Sequence, residues 1–384
     1  MTIMKKLKVM SIFGTRPEAI KMAPVVLELR KYPKIETLVA VTAQHREMLD
    51  QVLNLFAIRP DFDLNIMSEG QTLFDITSRA LIGLDKVLSA AKPDVVLVHG
   101  DTTTTFAGAL AAFYHQIEVG HVEAGLRTQN KFSPYPEEMN RRLTGALADL
   151  NFAPTPTAKE NLLRENISAD KIFVTGNTVI DALLQIVRAN FKFSNEFERV
   201  DFGNRIILVT THRRENLGEP LRQVYKALKS LVEEFADVEV IFPVHRNPKV
   251  RAVVDEELGG LERVFLTDPL DYEPFANLMN RATLILTDSG GVQEEAPALG
   301  KPVLVLRDTT ERPEAVDAGT VKLIGTNQAA VYGAAKELLT DAEEYRKMAE
   351  ARSPYGDGHA AERIVKALLW RHGFLSARPD EFAS

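Results

Sequence analysis

The 384-residue chain predicts an α/β fold: two Rossmann-like, doubly wound parallel-sheet domains facing a cleft. Three observations point there. Short continuous runs of Val, Ile and Leu recur along the chain, as expected of strands buried on both faces. Longer stretches with apolar residues at helical spacing lie between them, and β-α-β-α alternation favours parallel sheets covered by helices. The length suits two domains of about 150 residues or somewhat more.

The first strand series is read at 8–13 (KVMSIF), 37–42 (TLVAVT), 94–99 (DVVLVH), 118–122 and 172–175. A second begins at 205–210 (RIILVT) and continues at 238–243, 263–266, 283–287 (TLILT), 302–306 and 321–324. Helices are expected at 18–31, 72–91, 217–235 and 291–299. A polar stretch at 191–204 (FKFSNEFERVDFGN) separates the two series, with a domain boundary expected near residue 175. The tail at 359–370 carries Ile364, Val365, Leu368 and Leu369 at helical spacing, compatible with packing on either domain.

Composition narrows the function classes. With 45% apolar and 26% charged residues the chain can bury a large core, which excludes disorder. The net charge of −7 and the lack of a Lys/Arg run argue against a general nucleic-acid binder. No cysteine is present, so disulfides, thiolate zinc sites, iron–sulfur clusters and a cysteine nucleophile are excluded. No run approaches the ~18 apolar residues of a membrane span. The basic start reaches Arg16 too soon for a signal peptide. A soluble, cytoplasmic protein is expected.

Parallel sheets bind ligands beyond the carboxyl ends of their strands, so the residues just after strands matter most. After the first strand, Gly14-Thr15-Arg16-Pro17-Glu18 with Lys21 fits an anion site at a helix start; the alternative is a tight turn with solvated cations. No G-x-G-x-x-G follows any strand, so the dinucleotide fingerprint is missing. The strand at 94–99 runs into Asp101 and a Thr run, either a helix cap or a functional carboxylate. Glu123 sits where a buried strand should be apolar, a costly placement unless the group is paired or functional. Glu137 and Glu138 open a helix, where acids stabilise its dipole. Carboxylates gathered on one sheet edge and repelling one another acquire raised pKa values suited to acid–base work.

In the second series, His212 follows a strand and lies among cations. Farther on, Ser289-Gly290-Gly291 between strand and helix would expose backbone N–H groups to a phosphate or diphosphate. Glu295, one turn on, could bind ribose hydroxyls, and a stretch around Arg312 adds charge. The alternative is a plain helix start. The dispersed histidines lack metal-ligand spacing, so no metal is expected. Read from the residues alone, the chain is a two-domain enzyme acting on a nucleotide-sugar.

Six motifs occur in order: G-T-R-P-E at 14–18, H-G-D-T at 99–102, H-V-E-A-G-L-R-T at 121–128, P-E-E-x-N-R at 136–141, T-H-R-R-E-N at 211–216 and D-S-G-G-x-Q-E-E at 288–295. Together they resemble the non-hydrolysing UDP-N-acetylglucosamine 2-epimerases over nearly the whole chain. The resemblance implies a glycosyltransferase-B-like fold and a homodimer that converts UDP-GlcNAc to UDP-ManNAc for bacterial surface polysaccharide, without a cofactor. It implies that the last helix returns to the first domain, giving 1–175 plus 366–384 for the carboxylate-bearing domain and 176–365 for the UDP-binding one. Asp101, Glu123, Glu137 and His212 fall on the family's catalytic positions. Arg16, Lys21, Phe275, Ser289, Gly290, Gly291, Glu295 and Arg312 fall on its nucleotide-sugar contacts. Leu270 stands where some members have a polar residue. Gln44, His45, Arg46 and His245 resemble a second, activating UDP-GlcNAc site of some members, but Glu47 and Gly70 depart from it.

The C2 proton of the sugar has no adjacent carbonyl and is not acidic. Without a dinucleotide site, the expected route is elimination. A base takes the C2 proton, UDP leaves C1, and 2-acetamidoglucal results; re-protonation on the opposite face and re-addition of UDP complete the inversion. This needs acid–base groups about C2 and cations for the departing diphosphate. Rival readings are a hydrolysing epimerase, an epimerase of a UDP-2,3-diacetamido sugar, a glycosyltransferase of the same fold and an inactive nucleotide-sugar sensor.

Overall fold

A computed structural model describes residues 6–43, 46–68, 70–213 and 216–383. The chain divides into two compact units. One runs to Ala182 and resumes at Tyr355; the other is Leu183–Pro354. The division falls later than the residue 175 expected from sequence at the first crossing, and earlier than 366 at the second.

In the first unit, strands β1 (Leu7–Phe13), β2 (Ile35–Val41), β3 (Phe62–Asp63), β4 (Val95–His99), β5 (Glu118–Val122), β6 (Leu150–Ala153) and β7 (Ile172–Val174) form one sheet. Its spatial order is β3-β2-β1-β4-β5-β6-β7, parallel throughout. Helices α1 (Arg16–Arg30), α2 (Arg46–Leu55), α3 (Leu73–Ala91), α4 (Thr103–Tyr114), α5 (Glu137–Leu147), α6 (Pro156–Arg164) and α7 (Thr178–Ile186) connect them. Val95, Val96, Leu97 and Val98 are all fully buried in β4, which is why the run reads as uninterrupted apolar residues.

The second unit carries β8 (Arg205–Thr210), β9 (Val238–Pro243), β10 (Val264–Thr267), β11 (Leu284–Thr287), β12 (Val303–Val305) and β13 (Val321–Leu323), in the order β10-β9-β8-β11-β12-β13. Its helices are α8 (Glu219–Glu234), α9 (Pro248–Leu258), α10 (Tyr272–Arg281), α11 (Gly290–Glu295), α12 (Pro313–Asp317), α13 (Gln328–Thr340) and α14 (Ala342–Ala349). α15 (Ala360–Arg371) then packs against α1 of the first unit. Its first N–H groups, on Ala360 and Ala361, donate to the Asp181 carboxylate of α7 at 3.2 and 2.8 Å.

In both parallel sheets the strand order reverses between two central strands, β1 and β4 in one, β8 and β11 in the other. Such switch points open a crevice at the strand ends. Gly14 is required there for space, because a Cβ at that position would lie 2.0 Å from Thr42 Oγ1 and 2.8 Å from Thr104 Oγ1.

Three expectations change. The helix read at 291–299 ends at Glu295 and continues as a 3₁₀ turn, Ala296–Leu299; Pro297 cannot donate a helical hydrogen bond and crowds the preceding turn. The segment 191–204 is not a bare polar spacer. Phe193 stacks on Phe202 at 4.8 Å and meets Phe191 and Phe197 edge-on at 5.0 and 5.4 Å, forming a small aromatic cluster. β6 and the two-residue β3 were not anticipated at all.

Candidate active site

In the first unit the residues after β1, β4 and β5 gather around one buried carboxylate. Glu123 follows β5 in a left-handed conformation (φ 61°), one residue past the strand in which it was expected. Its side chain is 7% exposed. Lys21 of α1 pairs with Oε2, Asn177 Nδ2 donates to the same oxygen at 3.2 Å, and Arg141 of α5 donates to Oε1 at 3.3 Å. His99 Nε2 lies 3.6 Å from Oε2. Burial alone would raise the Glu123 pKa, but Lys21, then His99 and Arg141, reverse this and hold it well below the ordinary carboxylate range. The expectation of mutually repelling carboxylates with raised pKa values is therefore corrected for Glu123. Arg141 stands between it and Asp101 and bonds to both.

Asp101 is not the cap of α4. That role belongs to Thr102, whose Oγ1 accepts from Thr105 N at 3.1 Å. The Asp101 carboxylate goes to Arg141, and its carbonyl accepts from Asn140 Nδ2 at 3.0 Å. Glu18 closes a capping box with Thr15 at the start of α1. Its Oε1 accepts from Thr102 Oγ1 and Thr105 Oγ1 at 2.7 and 3.0 Å, tying the turn after β1 to the start of α4. His121 donates to the Gly100 carbonyl at 2.7 Å; burial, then Arg141, push its pKa down to about 3, so it is a neutral prop for this turn.

The paired acids of α5 separate. Glu138 is buried, accepting from Thr128 N and Arg142 Nε, each at 3.0 Å. Among the described residues Glu137 has no hydrogen-bond or ion-pair partner and is half-buried. Arg16, the first residue of α1, is likewise half-buried with no partner among the described residues. The first unit thus brings together Lys21, Asp101 and Glu123; among the described residues no side-chain hydrogen bond or ion pair joins Arg16 or Glu137 to them.

The second unit builds its own site at the switch point. His212 follows β8 and Ser289 follows β11 two residues on. Asp288 is fully buried between them, and its carboxylate lies 3.0 Å from His212 Nδ1. Burial would raise the Asp288 pKa, but the His212 side chain and the backbone N–H groups of Arg213 and His212 hold it below the usual carboxylate range. Ser289, Gly290 and Gly291 open α11 without a side-chain cap, and a Cβ on Gly290 would come 3.8 Å from the Arg312 guanidinium. Arg312 Nε pairs with Glu294. Glu295 accepts from Tyr272 Oη at 2.8 Å, and half-buried Phe275 lies one turn beyond Tyr272 on α10. The His245 ring lies 6.4 Å from that of His212, centroid to centroid. Gln44 and His45, and Arg214 and Glu215 of the T-H-R-R-E-N motif, fall outside the described residues.

Comparison with known proteins settles the family. A family model described as UDP-N-acetylglucosamine 2-epimerase matches residues 27–369. The chain belongs to the UDP-N-acetylglucosamine 2-epimerase family. It is similar to the UDP-N-acetylglucosamine 2-epimerase of Bacillus subtilis, with 62% identity over 379 residues covering 99% of each chain. A crystal structure of a UDP-N-acetylglucosamine 2-epimerase matches with a TM-score of 0.94 and 60% identity, covering 99% of this chain and 100% of that one. The UDP-GlcNAc 2-epimerase of Neisseria meningitidis bound to UDP-GlcNAc matches with a TM-score of 0.83 and 52% identity, covering 94% and 99%. The fold itself extends further, to the glycotransferase of kitacinnamycin at a TM-score of 0.61 and 14% identity.

Arg141, Asn177 and Asp288 were not singled out from sequence. Arg141 and Asp288 lie inside recognised motifs, so the signal was present, but not the partner that each would meet.

Proposed function

We propose that this family member interconverts UDP-GlcNAc and UDP-ManNAc by eliminating and re-adding UDP through 2-acetamidoglucal. The observation that carries the reading is Glu123: a buried carboxylate framed by Lys21 and Arg141, with Asp101 on the same guanidinium. The two cations favour the ionised form that can take a proton, and Arg141 joins Glu123 to a second carboxylate in the same site. In the forward step the C2–H pair becomes the C1=C2 bond, the proton goes to a carboxylate, and the C1–O pair leaves on the β-phosphate of UDP. Glu137 is the third acid–base group in this reading.

The second unit supplies the nucleotide site. The Ser289 side chain, the N–H groups of Gly290 and Gly291 and Arg312 take the diphosphate, His212 its reactive end, Glu295 the ribose and Phe275 the base; Arg16 and Lys21 are the first unit's cations in this reading. The structure of the Neisseria meningitidis relative bound to UDP-GlcNAc supports this substrate class. The division of labour between a carboxylate-bearing domain and a UDP-binding one is part of the same proposal.

A cytoplasmic homodimer supplying ManNAc units for surface polysaccharide completes it. Phe74 and Ile82, two turns apart on α3, are 87% and 62% exposed, and Tyr114 of the neighbouring α4 is 70% exposed. Large exposed apolar side chains on these two helices suit a subunit interface. None of the described helices is long and apolar enough to cross a membrane.

The test is NMR of UDP-GlcNAc incubated with purified protein, with no NAD or metal added. UDP-ManNAc should accumulate to a constant ratio, reached from either sugar. Release of free ManNAc, or a requirement for NAD, would contradict the reading.

A further inference from the structure

Asp288 belongs to none of the groups assigned above, yet His212, Arg213 and Asn216, all following β8, donate to its carboxylate. Thr287 pairs with Thr210 in the parallel register of β11 and β8, so the residues following the two strands emerge side by side. Oδ2 of Asp288 accepts from His212 N at 3.0 Å, Arg213 N at 2.9 Å and Asn216 Nδ2 at 3.3 Å. Oδ1 also accepts from His212 N, at 3.1 Å, and faces His212 Nδ1 at 3.0 Å. The carboxylate is fully buried, whereas the His212 side chain is 43% exposed. One end of the ring is held by the protein and the other is free to meet a ligand.

We infer that Asp288 is a positioning residue for epimerisation: it keeps the proton of His212 on Nδ1, so that Nε2 is the atom presented to the departing diphosphate. A carboxylate can only accept, so a neutral ring beside it must donate from Nδ1. When the ring carries a second proton, that proton sits on Nε2, where it can be donated to the phosphate oxygen receiving the C1–O electron pair. The buried carboxylate thus fixes the orientation of the ring, the logic by which a carboxylate orients a histidine in hydrolytic triads. The inference rests on the epimerase reading and adds a residue that acts through His212 without touching substrate.

The replacement Asp288→Asn makes the idea testable. Three N–H groups converge on Oδ2, so the amide oxygen should take that place and the amide nitrogen should face Nδ1. The nitrogen donates, and the His212 proton is driven to Nε2. In protein labelled with ¹⁵N-histidine, with His212 assigned through His212→Gln, the neutral ring should be protonated on Nδ1 in the unaltered chain and on Nε2 in D288N. Turnover should fall about 10²–10⁴-fold with KM within about threefold, a loss confined to the reacting state. In D288N/H212Q the second change should cost no more than about twofold beyond H212Q alone, since groups acting as a unit are non-additive. A loop anchor with no link to the ring would instead give additive losses and an unchanged tautomer, and either result overturns the inference. Should D288N not fold, the unaltered protein still decides: a neutral His212 protonated on Nε2 overturns it. The two readings fail separately. Absence of UDP-ManNAc from the unaltered protein overturns the epimerase reading, whereas full activity in D288N overturns only the role of Asp288.

Discussion

A buried carboxylate stays ionised only beside compensating cations, and Glu123 has both Lys21 and Arg141. Removing its charge by Glu123→Gln should lower turnover about 10²–10⁴-fold, measured as kcat for UDP-ManNAc formation. Activity within twofold of the unaltered protein would remove it from the mechanism. The neighbouring acids Glu137 and Glu138 offer a crossed test, because only Glu138 is buried and bonded. Glu138→Gln should cost about 1–3 kcal/mol in urea unfolding, while Glu137→Gln should change stability by less than about 0.5 kcal/mol and reduce kcat strongly. Reversed effects would exchange their roles. The strand-end positions of Asp101, Glu123, His212 and Ser289 were legible in the sequence, because a parallel sheet sends such residues to its carboxyl edge. Their partners were not. Lys21 and Glu123 are 102 residues apart, and His212 and Asp288 are 76 apart, so only strand order brings them together.

Among the elements, α15 is anchored by a group whose ionisation opposes its burial. Burial raises the Asp181 pKa to about 6, although the N–H groups of Ala361 and Ala360 pull it down. A carboxyl with a folded pKa above its unfolded value stabilises fully below the unfolded value, near 4, and loses that contribution as pH rises through about 6. Relative to the native chain, Asp181→Asn should therefore gain roughly 1–3 kcal/mol between pH 4.5 and 7.5; a constant difference between the two proteins would contradict this. At the turn after β1, Gly14→Ala should destabilise by about 1–3 kcal/mol through overpacking against Thr42 and Thr104, read from denaturant midpoints. Most strands were legible as unbroken apolar runs. β6 was not, because the buried Asn151 interrupts its short run. The aromatic cluster of Phe191, Phe193, Phe197 and Phe202 was also hidden, since its spacing follows neither the helical nor the strand period.

At the scale of the whole molecule, one chain carries the same sheet logic twice and gives each copy a different chemistry: carboxylates and cations in one, a histidine and a glycine-rich helix start in the other. The exposed Phe74 and Ile82 on α3 connect this to assembly. The protein should sediment as a dimer, and Phe74→Asp with Ile82→Asp should yield monomers; a dimer indifferent to both changes would place the interface elsewhere. The most direct test of elimination through 2-acetamidoglucal is NMR of UDP-GlcNAc turned over in deuterated water. In the proposed route the proton removed from C2 passes to a carboxylate that exchanges with solvent, and a side chain on the opposite face re-protonates C2. Deuterium should enter C2 of both UDP-ManNAc and recovered UDP-GlcNAc as the two equilibrate. UDP-ManNAc that forms with its original C2 proton fully retained would contradict the mechanism.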